Sequence, residues 1–430
     1  MKLKAVEFLN PEKSTHIIVP EYLKQIYLDS NYHLLPNNVI LKKIVLFINI
    51  KILRKFKIIL NFLFKKKFTF KEPSQKEIIV FDDENFRILN NIFSKQNYFI
   101  LATRIERIKE IYLSKKIFLY ILRNLFKRSL KQNYLSSLIE IIQPKTIVTF
   151  IDNSNDFFII SKIFKGRNIK FIAIQNAHRY DVHSQNKNLY IPNYFVVGTH
   201  EVEVFKKNSE NISKIKSIGS LTAAVVKNHF EKNNIKPKEN LYDICLISEP
   251  RLKLNFDFKR IHQDHNVQEC VGLIANHTLK FCKKHKKKLI FSGKGDINSK
   301  NFKRAERMFY KNQIQNYDYD ISFHKKTEFE NYRNIINSNL IIGMCSTMLR
   351  DSFEFKRKIL WCNFIDHKDV KSPSEGICTL RSKKFEDFEN RVLEILKLDY
   401  EEYLSKIENV DAFYNTKVNA LKYLKNEINL

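Results

Sequence analysis

Short, uninterrupted apolar runs recur along this chain, each followed by a longer helical stretch. Residues 77–82 (EIIVFD), 146–152 (TIVTFID), 169–175 (IKFIAIQ), 243–247 (DICLI) and 340–343 (LIIG) all read this way. Runs this short, apolar without alternation, are the signature of strands buried on both faces. Strands alternating with helices demand βαβ crossovers and hence parallel sheets. The same rhythm places further strands at 98–104, 194–198, 216–221, 288–292 and 321–323, and an isolated first one at 16–20 (HIIVP). Helices are expected at 84–95, in a long region reaching 142, at 155–164, from 201, and at 267–286, 301–313, 327–337, 385–398 and 401–407.

The rhythm breaks once. Residues 227–242 (KNHFEKNNIKPKENLY) are polar, carry Pro237 and lack apolar periodicity, as a linker would. The expected organisation is therefore an N-terminal Rossmann-like domain over 1–226, the linker, a second Rossmann-like domain over 243–398, and terminal helices over 399–430. A length of 430 residues accommodates this, at roughly 150 residues per domain as a soft prior. The fold class is α/β, with two such domains facing across a cleft. In sheets of this kind ligands collect at the carboxyl ends of the strands. A cleft between two of them suits a reaction joining two polar substrates.

Composition bounds the partners. Hydrophobic residues make up 44% of the chain, enough for sizeable cores. The formal net charge is +29. Lys, Ile, Asn and Phe are abundant while glycines number eight, so part of that charge reflects biased composition. The remainder favours phosphates, nucleotides, acidic glycans or a membrane surface. The excess is locally concentrated: no acidic residue occurs between Asp29 and Glu72, where Lys42, Lys43, Arg54 and Lys65 punctuate apolar sequence. Mid-segment charges argue against a spanning helix. Residues 39–68 suit a basic amphipathic helix on an anionic leaflet, or an internal helix pair with a basic outer face. No nucleic-acid reading motif accompanies the charge. Six cysteines show no close pairing, so buried free thiols are expected rather than a zinc site or a disulfide framework. The first ten residues lack the apolar core of a signal peptide. Together these place the chain in the cytoplasm, or peripherally on the inner membrane face.

Residues that can carry chemistry sit at the strand ends. The loop 175–183 (QNAHRYDVH) follows a strong strand and brings His178, Asp181 and His183 to its carboxyl end, with Gln175 and Asn176 ahead of them. A histidine there can take a proton from an acceptor hydroxyl, or hold a phosphate when protonated. Asp152, ending the preceding strand, is a second base candidate; a helix-opening acid is its ordinary reading. Ser248 and Arg251 end the first strand of the second half, and Arg251 can pair bidentately with phosphate. Gly293 and Lys294 end the next, followed by His324 at a third. Neither a P-loop nor a GxGxxG helix opening is present. No paired carboxylate signals a metal, so a mechanism without metal or other cofactor is expected.

The stretch 337–364 (NSNLIIGMCSTMLRDSFEFKRKILWCNF) joins a strand, a hydroxyl-rich turn, a short helix and a returning strand. Ser346 and Thr347 stand where side-chain oxygens cap backbone N–H groups, and Asp351 follows about one turn later. Read blandly, Ser346 caps a helix and Asp351 is a solvated acid. Read with the rest, the turn is an anion site for an activated sugar.

This block, with the following KRKIL, resembles the "DSTLxYE…GKKV" block of bacterial surface carbohydrate biosynthesis proteins, which are GT-B-type glycosyltransferases. Similar blocks occur in capsule Kdo transferases and in polysialyltransferase- or glycerophosphotransferase-like enzymes. Residues 175–178 (QNAH), 194–198 (YFVVG) and 218–220 (IGS) resemble further elements. The likeness spans roughly residues 146–398. It implies Ser346 and Thr347 at the donor phosphate, Asp351 at the ribose, and Gln175, Asn176 and His183 toward the acceptor. Asp351 replaces the family's Glu, Lys356 its Gly, and Cys345 its Asp. The implied activity moves a sugar, such as a CMP-activated ulosonic acid, from a nucleotide donor to a surface polysaccharide or lipopolysaccharide. A polyol-phosphate transferase, and a non-catalytic membrane-associated scaffold of the same fold, are the alternatives.

Overall fold

The computed structural model describes residues 66–93, 97–104, 107–179, 181–208, 210–238, 241–249, 258–293, 306–307, 309–310, 321–322, 329–365 and 372–428. The strand expected at 16–20, the helix expected at 301–313 for the most part, and nearly all of the basic segment 39–68 lie outside them. The chain divides into two compact units at Ile235–Lys236, and residues from Glu408 onward return to the first unit.

The first unit holds a parallel sheet of six strands: β2 (Ile78–Phe81), β3 (Tyr98–Leu101), β5 (Thr146–Thr149), β6 (Lys170–Ile174), β7 (Asn193–Val196) and β8 (Lys214–Ser217), in the order β3-β2-β5-β6-β7-β8. The inner strands are buried along most of their length. Ile79, Ile147, Phe157, Phe171, Tyr194 and Val196 share one buried core. The order reverses between β2 and β5, so their carboxyl ends flank a switch point. The Thr149 hydroxyl donates to the Phe81 carbonyl there at 2.9 Å.

Two features depart from the expected elements. The helix placed at 84–95 is a single turn, Phe86–Leu89, entered through left-handed Asp82 and Asn85. The helical region before 142 opens instead with a strand, β4 (Glu110–Tyr112), paired in parallel with β1 (Lys67–Thr69). The pair is tied by Glu110, which accepts from the Thr69 hydroxyl at 2.5 Å and meets Lys67 at 2.8 Å. Helices Lys115–Arg123 and Leu130–Ile142 follow, each capped by a serine, Ser114 and Ser129.

The segment expected to be linker is helical in its first part. Helix Leu221–Lys232 starts on the Ser220 side chain, which accepts from Ala223 N, and buries Val225, Val226 and Phe230. The terminal helices also part company. Tyr400–Ser405 belongs to the second unit, and Ala420–Ile428 to the first. Glu427 meets Lys214 at 2.8 Å and Lys170 at 3.0 Å. Asn415 N donates to the Val197 carbonyl at 3.1 Å. Gly219, at φ +82°, lets the Asn415 carbonyl approach to 3.0 Å of where a Cβ would lie.

The second unit is a parallel sheet in the order β11-β10-β9-β12-β13-β14. Its strands are β9 (Tyr242–Ile247), β10 (Leu289–Ser292), β11 (Ile321–Ser322), β12 (Ser338–Gly343), β13 (Lys358–Cys362) and β14 (Thr379–Leu380). This is the dinucleotide-fold strand order, with its switch point between β9 and β12. Among the described residues no helix is long and apolar enough to cross a membrane. Both units are therefore doubly wound α/β sheets, as the alternating apolar runs imply.

Candidate active site

In the first unit, the carboxyl ends of β5, β6 and β7 converge on a buried polar cluster. Asp152 follows β5, Arg179 lies in the loop after β6, and Tyr194 belongs to β7. Arg179 Nε donates to Asp152 Oδ2 at 2.8 Å, and its terminal nitrogen pairs with Oδ1. The Tyr194 hydroxyl donates to Asp152 Oδ2 at 2.5 Å. Both carboxylate oxygens are thus engaged, and the Asp152 side chain is fully buried. Burial opposes the Arg179 charge, but the Asp152 carboxylate outweighs it and holds the guanidinium pKa above its ordinary value. Burial, reinforced by Asp152, pushes the Tyr194 hydroxyl well above the tyrosine range. Arg179 also donates to Asn176 Oδ1 at 2.8 Å, which fixes the loop that carries both.

A second carboxylate sits beside this pair. Glu201, in the first turn of helix Thr199–Phe205 after β7, is fully buried. Its Oε1 accepts from Gln175 Nε2 at 2.9 Å and lies 3.2 Å from His178 Nδ1. Gln175 in turn accepts from Val197 N at 2.7 Å, so its amide is oriented from both ends. The His178 ring stacks on His200 at 5.1 Å between centroids. A carboxylate at Nδ1 selects the tautomer protonated there and presents Nε2 as the basic nitrogen.

Beside the cluster lies a cavity of about 280 Å³, lined by Asp152, Asn153, Arg179, His183, Asn186 and Leu189 among others. Six of the expected residues, Gln175, Asn176, His178, Asp152, Asp181 and His183, thus fall at one sheet edge, with Asp181 opening the helical turn Asp181–Ser184. Arg179 and Glu201 complete the cluster and are absent from the sequence expectation. Arg179 directly follows His178 and Glu201 lies in the first turn of the helix after the next strand, positions that do not by themselves signal burial.

In the second unit the switch point gathers Ser248 and Glu249 after β9, Gly293 after β10, and Met344 to Ser346 after β12. The Glu249 carboxylate accepts from Cys345 N at 3.0 Å and from Met344 N. Gly343 makes room for it: a Cβ there would stand 2.9 Å from Glu249 Oε2. Two amides at this strand end are therefore already bound to an internal carboxylate. Ser346 caps helix Thr347–Asp351, its Oγ accepting from Met348 N at 3.3 Å. Asp351 is buried and accepts from the Tyr332 hydroxyl at 2.6 Å, so it is an interior acid rather than a solvated one. Ser248 pairs with Glu306 and accepts from the Tyr310 hydroxyl at 2.9 Å. The Gly293 carbonyl accepts from Asn331 Nδ2 at 3.1 Å. Arg251, Lys294 and His324 lie outside the described residues.

All six cysteines are free thiols, and all but Cys345 are buried. Burial pushes the thiols of Cys245, Cys282 and Cys378 up to about 12, far from reactive thiolates. Native-state alkylation should therefore modify Cys345 first, with the other five reacting only on denaturation. Mass spectrometry of peptides after brief iodoacetamide treatment checks this; early labelling of Cys245 or Cys362 would contradict the buried placement.

No protein-family model matches the chain, and no curated protein matches it. Solved structures do resemble it. The UDP-GlcNAc 2-epimerase of Neisseria meningitidis bound to UDP-GlcNAc is 12% identical, with 82% of this chain and 99% of that chain covered and a TM-score of 0.47. A putative UDP-N-acetylglucosamine 2-epimerase from Listeria monocytogenes is 9% identical over 82% and 95%, with a TM-score of 0.49. A variant of the wall teichoic acid polymerase TagF, soaked with CDPG, is 11% identical over 87% and 96%, with a TM-score of 0.43. Likeness of this degree carries nothing about activity, which has to come from the residues themselves.

Proposed function

We propose that the protein is a GT-B-type transferase that moves a group from a nucleotide-activated donor to a hydroxyl acceptor, without a metal or other cofactor. The observation that supports this most directly is the buried, carboxylate-oriented His178 at the carboxyl edge of the first sheet, directly preceding Arg179, which lines the cavity with Asp152 and His183. In this reading His178 Nε2 takes the acceptor proton, and Glu201 stabilises the imidazolium that forms. Asp152 holds Arg179 in place rather than acting as the base, since both its oxygens are engaged. Asp181, at the start of the turn Asp181–Ser184, is assigned an assisting role from the sequence alone. Arg179 places a fixed positive charge at the cavity wall, suited to an anionic group that enters the cavity.

The donor belongs to the switch point of the second unit. Ser346 and Thr347 meet its phosphate through hydroxyls and helix-start amides, Met344 and Cys345 being occupied by Glu249. Ser248 and Gly293 lie on that side, Asp351 is assigned to the ribose, and Lys294, Arg251 and His324 are assigned to the donor from the sequence alone. The donor is a nucleotide sugar, such as a CMP-ulosonic acid. The acceptor is a surface polysaccharide or lipopolysaccharide at the inner membrane face, approached through Gln175, Asn176 and His183. A polyol-phosphate transfer uses the same residues and differs in donor.

Thermal-shift measurements with CMP, UDP and GDP test this. A bound nucleotide at a hundred times its Kd adds about 2.7 kcal/mol of stability. Ser346→Ala should abolish that gain, measured against the variant's own unliganded midpoint because losing the cap alone costs about 1 kcal/mol. Nucleotide should also slow alkylation of Cys345. No shift with any nucleotide would leave the fold without a donor and favour the scaffold reading.

A further inference from the structure

The surface around helix Lys115–Arg123 carries more exposed apolar area than its core packing explains. The helix buries Ile117 and packs Ile121 against the core of the first unit. Its other face points outward: Phe118 is 61% exposed, Leu122 49%, and beyond the helix end Phe126 99% and Leu130 64%. Leu113 and Phe70 extend the same surface. Leu113 N donates to the Thr69 carbonyl at 2.8 Å, and Lys116 meets Glu72 at 3.0 Å, so the β1 end lies against the helix start. Phe70 is 76% exposed. Clusters of large exposed apolar side chains mark a surface that something covers.

The charge around it selects the partner. No acidic residue occurs between Glu110 and Glu140, while Lys115, Lys116, Arg123, Lys127, Arg128 and Lys131 do. Lys116 and Lys131 form surface pairs with Glu72 and Asp156, which hold little energy. A protein partner would have to supply an apolar face ringed by carboxylates. A bilayer with anionic headgroups supplies apolar depth and negative charge at once.

We infer that the Phe118–Leu122–Phe126–Leu130 surface, rimmed by Arg123, Lys127 and Arg128, is an insertion face for an anionic lipid bilayer. Phe126 and Phe118 enter the headgroup–acyl boundary, and the basic side chains stay at the phosphates. This is distinct from the basic segment 39–68 and stands independently of the transferase reading.

Co-sedimentation of the full chain with sucrose-loaded vesicles tests it, comparing pure phosphatidylcholine with phosphatidylcholine containing phosphatidylglycerol. Binding should require the anionic lipid and weaken at high salt. The double variant Phe118→Ser/Phe126→Ser should lose at least about tenfold in partition coefficient, as should Arg123→Gln/Lys127→Gln. All four side chains are outward, so unchanged melting points are expected and certify the fold. Full binding by both variants would assign any membrane affinity to another segment and overturn the inference. So would equal binding to neutral vesicles. Self-association that Phe126→Ser abolishes, without vesicle binding by the parent chain, would assign the face to a second copy instead.

Discussion

Arg179→Met is expected to lower the unfolding free energy by about 3–5 kcal/mol, because it strands the Asp152 carboxylate in the interior without its countercharge. Methionine replaces the volume of the arginine stem but none of its donors. Asp152 keeps the Tyr194 hydroxyl, which cannot neutralise it. Urea titration reads the loss as a fall in midpoint at unchanged slope. Adding Asp152→Asn to the same chain should restore a large part of it, since the buried charge is then gone from both sides. That coupling distinguishes an ion pair from mere packing. A change within about 0.5 kcal/mol for Arg179→Met, the size of an ordinary surface substitution, would mean that the pair is not buried in the folded chain.

His178→Ala is expected to slow transfer by about 10²–10⁴-fold, the usual contribution of a positioned general base. The donor nucleotide should still stabilise the variant, because Ser346 and Thr347 belong to the other unit. Loss of rate with retained binding is the signature of a residue that acts on the reacting proton. Glu201→Gln should move in the same direction and by less: it keeps the hydrogen bond to His178 but removes the charge that favours the imidazolium. Full activity of His178→Ala, measured with the nucleotide donor that the thermal screen selects, would place the base elsewhere in the loop or at Asp152.

Much of the architecture was legible because inner strands of a parallel sheet need apolar side chains on both faces. Residues 147–148, 171–174 and 340–342 have them without interruption, and they lie in strands. The edge pair β1–β4 was not legible. Lys67, Thr69, Glu110 and Tyr112 are polar or amphipathic, and the pairing that makes them strands lies forty-three positions away in sequence, as the register Lys67–Glu110 shows. Helix Leu221–Lys232 was hidden for a related reason. Its polar second half resembles a linker until Phe230 is seen buried.

The cluster at the first sheet edge was partly legible. Loops at strand carboxyl ends attract functional side chains, so His178 and Asp152 stood out. Arg179 and Glu201 did not, since a charged residue in a loop or a first helical turn is ordinarily solvated. Only burial reveals that each holds one of the expected residues in place. Glu249 is the converse case in the second unit. It follows Ser248 at the end of β9, and its role as acceptor for the amides after β12 depends on Gly343, ninety-four positions away, being too small to obstruct it.

The return of residues 408–428 to the first unit bears on how the first sheet is completed. Val197, Ser217, Gly219, Lys170 and Lys214 all contact this returning segment. The first sheet therefore keeps one side unfinished until residues 408–428 join it, while the described part of the second unit runs without interruption from Lys236 to Ile407. A chain cut after Ile407 would retain every described part of the second unit and leave that side of the first sheet open to proteases.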